Sequence, residues 1–302
     1  MIIRRKTLLA AVAAGSSLLL AVQPVSAQQA APLTAQQAPP LTAAQAAQLV
    51  ASPDRSAADR TNDQRRKPEQ MLVFIGVRPG MTALDLSAAG GYTTELLARA
   101  IGPSGMVYGQ SRPRDPSRPP TPPAAPEGNS RPTATSDKAV VVAPPPPAVA
   151  PRPSPDALEA RERALRNADI KAAPIAVVVR PFEDPIPPEL AEFDLVTLMF
   201  NYHDLGHLGV DRAAMNRAVF QALKKGGVYV IADHSGRPGT GISEAGTLHR
   251  VEEAFLRKEV EAAGFKLAAE GNFLRNPKDP RDKNTPDPPQ PKDEFVLKFV
   301  KP

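Results

Sequence analysis

Two periods in the hydrophobic pattern divide most of the chain into strands and helices. Short, nearly wholly apolar runs bounded by turn residues are typical of strands buried on both faces of a parallel sheet. Five such runs alternate with segments whose apolar residues recur three or four positions apart, which is typical of helices, and two alternating runs close the chain. The predicted strands are 82–86, 106–108, 175–179, 193–200, 228–232, 266–273 and 294–300. This order predicts an α/β fold with a doubly wound sheet of about seven strands and an antiparallel strand near one edge.

Capping and breaking residues delimit the predicted helices. Asp211 is placed to cap a helix that Gly226 and Gly227 end. Pro68 is placed in the first turn of an earlier helix. The stretch 247–264 carries its apolar residues on one stripe and predicts a single helix. We expect the helices before the first strand to pack at the sheet edge and to cover the mouth of a site there.

Two segments at the start of the chain lie outside the predicted domain, which we place at 43–302. Residues 1–27 have the basic start, the apolar stretch and the small-residue cleavage site of a secretory signal peptide. The apolar stretch, 8–22, is too short for a comfortable membrane span. Residues 28–42, rich in Gln, Ala and Pro, predict a flexible lead-in. We therefore expect a periplasmic or secreted protein that has no membrane attachment after cleavage.

Composition excludes several kinds of partner and site. Cleavage would remove three positive residues and lower the formal net charge from +5 to +2, so charge gives no reason to expect a nucleic-acid partner. The chain has no cysteine, which excludes disulfides, thiolate metal ligands and a cysteine nucleophile. We expect a small-molecule substrate, and the sequence leaves the oligomeric state open.

A proline-rich insertion, placed at about 111–155, interrupts the predicted domain. It holds a large share of the 36 prolines of the chain and almost no aromatic residues. Such a composition cannot bury enough apolar surface to offset the entropy of ordering, so we predict that the insertion is disordered. A neutral spacer and a docking site for a proline-recognising partner both fit it, and the spacer is preferred.

A turn of small residues follows the first predicted strand and opens the next helix. The turn contains Ser87, Ala89, Gly90 and Gly91, and the acid Asp85 lies near the end of the strand. Small side chains let backbone approach a ligand closely, and a helix N-terminus at the end of a parallel strand favours ligand binding. The adjacent glycines do not form the G-x-G-x-x-G fingerprint of dinucleotide sites. A purely structural turn is the alternative.

An acid in the first strand, followed by three small residues at alternate positions, resembles the first motif of class I S-adenosylmethionine (SAM) methyltransferases. Ser87, Ala89 and Gly91 stand where that family has three glycines, and Gln110 stands where it usually has an acid. LKKGGVYVIADH is similar to the helix, turn and strand that precede the family's substrate loop. NYHDL, EAGTLHR, EVEAAGF and FLRNP are similar to segments of exported bacterial predicted methyltransferases. The resemblance spans about 43–302 apart from the insertion, and it implies a Rossmann-like fold and methyl transfer with SAM as cofactor.

The resemblance also implies a cofactor site. Asp85 would organise the loop and the methionine amino group, and the turn 87–91 would let the backbone approach the cofactor. Gln110 would meet the ribose through neutral hydrogen bonds. Phe182 and Glu183, just past the third strand, stand where the family holds the adenine. Core packing is the alternative for Phe182.

All four histidines follow the fourth and fifth predicted strands, at the edge of the sheet where doubly wound folds bind ligands. These histidines are His203, His207, His234 and His249, and the neighbouring polar residues are Tyr202, Asp204 and Asp233. His203 or His234 is predicted to be the general base of methyl transfer, with Asp204 or Asp233 orienting its ring. Tyr202 completes the set of candidate catalytic residues.

Three alternatives stay open for this edge and for the chain. The histidines could be structural caps, or His203 and His207 with Asp233 or His234 could ligate a divalent metal. The spacing of His203 and His207 suits a metal only in a helix, and Gly206 argues against a helix there, so we prefer a base to a metal site. Because SAM is made in the cytoplasm and the signal peptide directs export, an exported small-molecule-binding protein without catalysis is the alternative function.

Overall fold

The structure, a computed structural model, describes residues 38–114, 154–284 and 290–302. The strands are β1 (Thr82–Leu86), β2 (Met106–Ser111), β3 (Ile175–Val179), β4 (Phe193–Met199), β5 (Leu223–His234), β6 (Lys266–Gly271) and β7 (Glu294–Val300). The helices are α1 (Ala43–Val50), α2 (Ala57–Arg66), α3 (Pro68–Ile75), α4 (Tyr92–Ile101), α5 (Ser154–Asn167), α6 (Tyr202–His207), α7 (Arg212–Ala222), α8 (Ala245–Leu248) and α9 (Glu253–Ala262).

The strands form one sheet in the order β3-β2-β1-β4-β5-β7-β6. The first five strands of the chain run parallel, and β7 lies antiparallel between β5 and β6. The order reverses at β1, which pairs with both β2 and β4, so a crevice opens beyond the C-terminal ends of β1 and β4. This topology confirms the predicted α/β fold, a doubly wound Rossmann-like sheet with an antiparallel strand next to one edge.

Apolar side chains cover both faces of the sheet, as the apolar strands predict. One face packs against the helices before and after β1 and β2, through Leu72, Leu97 and Leu158. The other packs against α6, α7 and α9, through residues such as Val219 and Leu256. Because both faces are covered, open access to the sheet is left at the strand ends.

The predicted helix over 247–264 is in fact two helices, α8 and α9, with residues 249–252 between them. In this break the Val251 N–H donates to the carbonyl oxygen of His234 at 3.1 Å. A backbone bond to the end of β5 therefore replaces a helical one. His249 adopts left-handed backbone with φ of 51°, and the break brings it to the edge of the sheet.

The boundary between α7 and β5 also differs from the prediction. Asp211 caps α7 as predicted, since its carboxylate accepts the Ala214 N–H at 2.9 Å. The helix ends before the two glycines, however, and β5 begins at Leu223. The Gly226 N–H donates to the Lys301 carbonyl at 2.8 Å. The segment around Gly226, which was predicted to be a turn, therefore makes hydrogen bonds of the kind found in a sheet.

The predicted signal peptide, most of the lead-in and most of the proline-rich insertion lie outside the described residues. The ends of the predicted 111–155 insertion are described: Ser111 belongs to β2, and Ser154 begins α5. These ends are therefore part of the domain. Among the helices of the described ranges, none combines the length and the apolar character needed to cross a membrane.

Candidate functional site

The turn between β1 and α4 has left-handed backbone at every second residue. The φ angles are 55° at Ser87, 47° at Ala89 and 78° at Gly91. These are the three positions where the resembled family has glycine, the residue that adopts such angles without strain. Serine and alanine adopt them at a cost of about 1–2 kcal/mol each. The chain thus keeps the shape of a three-glycine turn with one glycine at these positions.

Asp85, at the end of β1, joins the elements on either side of this turn. Its side chain is buried, and it accepts hydrogen bonds from the hydroxyls of Thr94 on α4 and Thr197 on β4, both at 2.7 Å. Burial, the largest influence, raises the pKa of Asp85 to about 6, and the two hydroxyls partly oppose it. Asp85 thus joins β1 to α4 and β4, and its role toward the loop and a methionine amino group stays a prediction.

Gln110 lies beneath the turn as well, with both ends of its amide engaged. It is fully buried, its oxygen accepts the Ser87 N–H at 3.0 Å, and its nitrogen donates to the Arg180 carbonyl at 2.7 Å. Each end of the amide can make a second hydrogen bond, but Gln110 is fully buried, so the predicted contact with a ribose would require the residues around it to move. In the described structure Gln110 ties the turn to the end of β3.

Helix α5 lies against the turn, a feature that the sequence did not predict. Ser154 donates to the Ala89 carbonyl at 2.7 Å, and the Arg161 Nε–H donates to the Gly90 carbonyl at 2.5 Å. A Cβ on Gly91 would lie 2.8 Å from the Arg161 side chain and 2.9 Å from that of Leu158. Because the proline-rich segment separates α5 from the turn along the chain, local sequence patterns could not predict this contact.

Helix α2, one of the leading helices, lies beside the mouth of the site. The Tyr92 hydroxyl, at the start of α4, donates to Asp63 of α2 at 2.7 Å. The Arg66 guanidinium lies over the rings of Phe200 and Tyr92, at 4.4 and 5.6 Å from their centroids. Helix α2 therefore borders the crevice between β1 and β4.

The two predicted adenine contacts are placed differently from each other. Phe182 is buried in the core with Leu84, Leu86 and Phe193, so core packing accounts for it. Glu183 is half-buried at the rim beyond β3. The described contacts assign no ligand-facing role to Phe182.

The four histidines do form one cluster, as their common edge predicted. His203 has ring centroids 5.4 Å from His234 and 5.5 Å from His249, and His249 lies 6.0 Å from His207. The cluster has a buried half, with His203, His234 and Asp233, and a more open half, with Asp204, His207 and His249. This division could not be foreseen from the sequence.

His203 is held in the buried half by Asp233. Its Nδ1 lies 2.6 Å from Asp233 Oδ1, and the other carboxylate oxygen accepts the His203 backbone N–H at 2.8 Å. A carboxylate only accepts, so Nδ1 carries a proton and Nε2 points toward Asp204, 3.2 Å away. Burial opposes the charged ring, but the charges of Asp233 and Asp204 outweigh it and raise the pKa of His203 to about 10. His203 is 1% exposed and cannot reach a substrate directly.

Asp204 is the hub of the open half. Its Oδ1 lies 3.2 Å from His249 Nδ1 and 3.8 Å from His207 Nδ1, and its Oδ2 accepts from the Asn201 amide at 2.8 Å. Burial acts to raise the pKa of Asp204, but the nearby rings of His203 and His249, through their contacts and charges, outweigh it, so the pKa is lowered. Asn201 in turn accepts the Ser87 hydroxyl at 2.6 Å. A continuous chain of polar contacts thus joins the turn to the histidines.

His234 and Tyr202 do not reach the open half. His234 is buried, with Nδ1 3.0 Å from Glu294 of β7. Tyr202 is fully buried, and its hydroxyl contacts Glu259 at 2.7 Å and Asn216 at 3.1 Å, on the side of α7 and α9. As described, these two predicted catalytic residues have structural contacts.

The segment that carries His203 and His207 is helical, so the expectation based on Gly206 is wrong. A Cβ on Gly206 would lie 2.5 Å from Ile242 and 3.1 Å from the Cβ of Ala245. The glycine is therefore explained by the close approach of α6 to α8. The same approach brings Asp204 to His249. His203, Asp204 and His249 are the residues of this edge whose donor atoms converge enough to hold a metal ion.

The structure is similar to several solved structures of other proteins. No protein-family model matches the chain, and no curated protein matches it. A SAM-dependent methyltransferase from Aquifex aeolicus has a similar structure, with 14% identity and a TM-score of 0.48 over 87% of this chain and 100% of that one. A putative methyltransferase from Haloferax volcanii, solved in complex with the Trm112 methyltransferase activator, is 16% identical, with a TM-score of 0.48 over 85% of this chain and 97% of that one. A TehB-like SAM-dependent methyltransferase from Corynebacterium glutamicum is 16% identical, with a TM-score of 0.42 over 82% of this chain and 99% of that one. The fold assignment rests on the sheet topology of the chain itself.

Proposed function

We propose that the protein is a SAM-dependent methyltransferase that acts on a small-molecule substrate. The observation that carries the proposal is the left-handed backbone at Ser87, Ala89 and Gly91. Two of these residues adopt the conformation at a cost, and strained backbone persists where the surroundings over-determine it, often at ligand sites. The turn also lies at the point where the strand order reverses, which is where doubly wound sheets bind ligands.

The residues of the turn fit the methionine end of SAM. No side chain caps the N-terminus of α4 at Gly91, and the Thr94 N–H bonds to Asp85, so the N–H groups of Tyr92 and Thr93 would bind the carboxylate. Ala89 and Gly90 are exposed at the tip of the turn and leave room for close approach. When bound, SAM supplies an electrophilic methyl group on a sulfonium. Asp85 would keep the turn in place from below.

The open half of the histidine cluster would receive the substrate. His207, 39% exposed on α6, replaces the buried His203 as our candidate for the base that removes the substrate proton. Asp204 lies near its Nδ1 and would orient the ring. The contacts from Ser87 through Asn201 to Asp204 would fix the distance between cofactor and base.

A second candidate function is binding of a small molecule without catalysis. The observation that favours it is Gln110, which is fully buried and already bonded at both ends of its amide, so that a ribose would meet no exposed part of it. Export by the proposed signal peptide favours it too, because SAM would have to be loaded before the protein leaves the cytoplasm. The two candidates share the turn and differ in whether a methyl group is transferred.

Calorimetric titration of the mature chain, residues 28–302, with SAM tests the common part of both candidates. We expect one site, with competition by demethylated SAM and none by NAD. Ala89→Glu should weaken SAM binding at least about tenfold, because the added carboxylate repels that of SAM near the helix N-terminus. The matched control Ala89→Gln, of the same size and neutral, should bind within about threefold of the parent.

Methyl transfer itself is measured with SAM labelled in its methyl group and a panel of small hydroxyl, amine and thiol acceptors. The enzyme proposal expects labelled product that depends on His207, so His207→Gln should lower turnover and leave SAM affinity unchanged. SAM binding with no acceptor labelled would favour the binding protein. Absence of SAM binding, or equal binding by the Glu and Gln variants of Ala89, would contradict the placement at the turn.

A further inference from the structure

Three donor atoms from separate points of the histidine cluster face one another. They are Nε2 of His203, Oδ1 of Asp204 and Nδ1 of His249, and all three lie within 4.8 Å of one another. Asp204 Oδ1 is 3.2 Å from each of the two nitrogens. Nε2 of His203 is buried; it faces the charge of Asp204 at this distance, but no described residue meets it with hydrogen-bond geometry. A buried ring nitrogen without a hydrogen bond needs an explanation.

The spacing fits a shared metal ion. Two ligand atoms that each lie about 2.1 Å from one ion, at angles of 90–109°, are about 3.0–3.4 Å apart. The separations of Asp204 Oδ1 from the two nitrogens, 3.2 Å each, fall inside that interval, and the two nitrogens lie within 4.8 Å of each other. We propose that His203, Asp204 and His249 form a binding site for one divalent transition-metal ion.

The surrounding contacts prepare these atoms for a metal. Asp233 accepts from Nδ1 of His203, which fixes the ring and leaves Nε2 as the ligand atom, an arrangement common around protein-bound metals. Asp233 is itself held, since it accepts the backbone N–H groups of His203 and His234. The Asn201 amide binds Oδ2 of Asp204, which leaves Oδ1 for the ion. Two of the three proposed ligands, His203 and Asp204, are thus fixed by a partner on the far side.

The donor set selects the class of metal. Two imidazoles and one carboxylate suit zinc, iron(II) or cobalt(II), whereas magnesium and calcium prefer oxygen ligands alone. Three protein ligands leave one or more positions open to water or to a substrate atom, as in catalytic sites. His249 is 38% exposed, so the open positions face the accessible half of the cluster.

The test uses the mature chain without an affinity tag, freed of metal by dialysis against a chelator and titrated with Co²⁺. We expect one equivalent to bind with visible absorption bands of low coordination number, and Zn²⁺ to displace it at equal stoichiometry. His249→Asn should weaken binding roughly 100-fold. Asparagine is chosen because it tolerates the left-handed backbone that His249 adopts, so the variant should stay folded.

Two further variants make the assignment specific. His203→Gln should also weaken binding roughly 100-fold, whereas His207→Gln, which changes a nearby histidine outside the ligand set, should bind within about threefold of the parent. Asp233→Asn should lose about 10–100-fold, because it leaves the ligands present but unfixes His203. No binding at 100 µM metal, binding that survives His249→Asn, or binding lost in His207→Gln would each overturn the proposal.

The metal site does not rest on the proposed methyl transfer. The titration contains no SAM, and the SAM titration is performed on metal-free protein, so each can fail without the other. If both succeed, the open positions of the ion lie beside the proposed base and would ligate the acceptor atom of the substrate.

Discussion

The turn after β1 and the histidine cluster lie at the same edge of the sheet and are joined by Asn201, yet they are built in opposite ways. The turn is a backbone structure: three left-handed residues define it, and its side chains are nearly absent. The cluster is a side-chain structure, made by residues 203–204 and 207 of α6, 233–234 of β5 and 249 of the connection between α8 and α9. A backbone structure can survive replacement of its glycines if the surroundings hold it, whereas a side-chain structure depends on the identity of each residue.

The surroundings hold the turn from three directions. Gln110 accepts the Ser87 N–H from beneath, Arg161 binds the Gly90 carbonyl from α5, and Asp85 holds Thr94 in the first turn of α4, beside the loop. Arg161 also pairs with Asp59 of α2 and Glu95 of α4, so one guanidinium ties three helices to the turn. This bracing explains how Ser87 and Ala89 are kept in left-handed backbone. It also predicts which changes the turn will not tolerate.

The largest effect is expected from a side chain at Gly91. Its backbone is left-handed, and a Cβ would lie 2.8 Å from Arg161 and 2.9 Å from Leu158. Strained backbone and overpacking together should make Gly91→Val cost about 4 kcal/mol in the free energy of unfolding, measured with urea.

Gly90→Val is the matched control, because a Cβ there meets no atom within 4 Å. It should cost less than about 1 kcal/mol. His249→Asn, in the cluster, should be similarly mild because the side chain is partly exposed. If Gly91→Val proves as mild as these two changes, the turn is not braced by α5, and the contrast between the two regions fails.

An intermediate effect is expected from the charge of Asp85. Its folded pKa of about 6 lies above the ordinary value of 3.8, so the folded protein binds the proton more tightly than the unfolded chain. Stability from this group is present at low pH and is lost as the pH rises from about 4 to 6. Above that window ionised Asp85 costs roughly 2–3 kcal/mol.

Asp85→Asn removes this titration and can still bond to Thr94 and Thr197. Relative to the parent, the Asn variant should therefore gain roughly 2–3 kcal/mol in the free energy of unfolding between pH 4 and pH 7. Urea unfolding of both proteins at the two pH values measures the difference, in which other titrating groups cancel. A difference that does not change with pH would mean that Asp85 is ionised at both values and that the turn rests on a buried charge.

The contrast between the regions also explains how far the sequence could lead. The strands, their order along the chain and the turn after β1 were predictable, because apolar runs and small residues determine local structure over a few positions. The convergence of the histidines was predictable, because strand ends share one edge. The break at His249 was not, since it depends on a bond from Val251 to the end of β5. Nor was the partner of Tyr202, Glu259, which follows 57 residues later and turns the ring away from the cluster.

The smallest effect sharpens the comparison from the other side, because it asks whether the turn still prefers glycine. Ala89 has φ of 47° and is exposed, so Ala89→Gly removes strain without removing contacts. Relief of left-handed strain should raise the free energy of unfolding by about 1–2 kcal/mol, and the greater freedom of glycine in the unfolded chain should lower it by about 0.4–1 kcal/mol. The net expectation is a gain of about 0.5–1 kcal/mol, read as a higher urea midpoint with unchanged slope.

Ala88→Gly is the control, since Ala88 is buried beside the left-handed positions, and this change should destabilise by about 1 kcal/mol. Equal changes of the same sign at the two positions would show that the backbone relaxes around Ala89, and that the loop shape is not imposed on it.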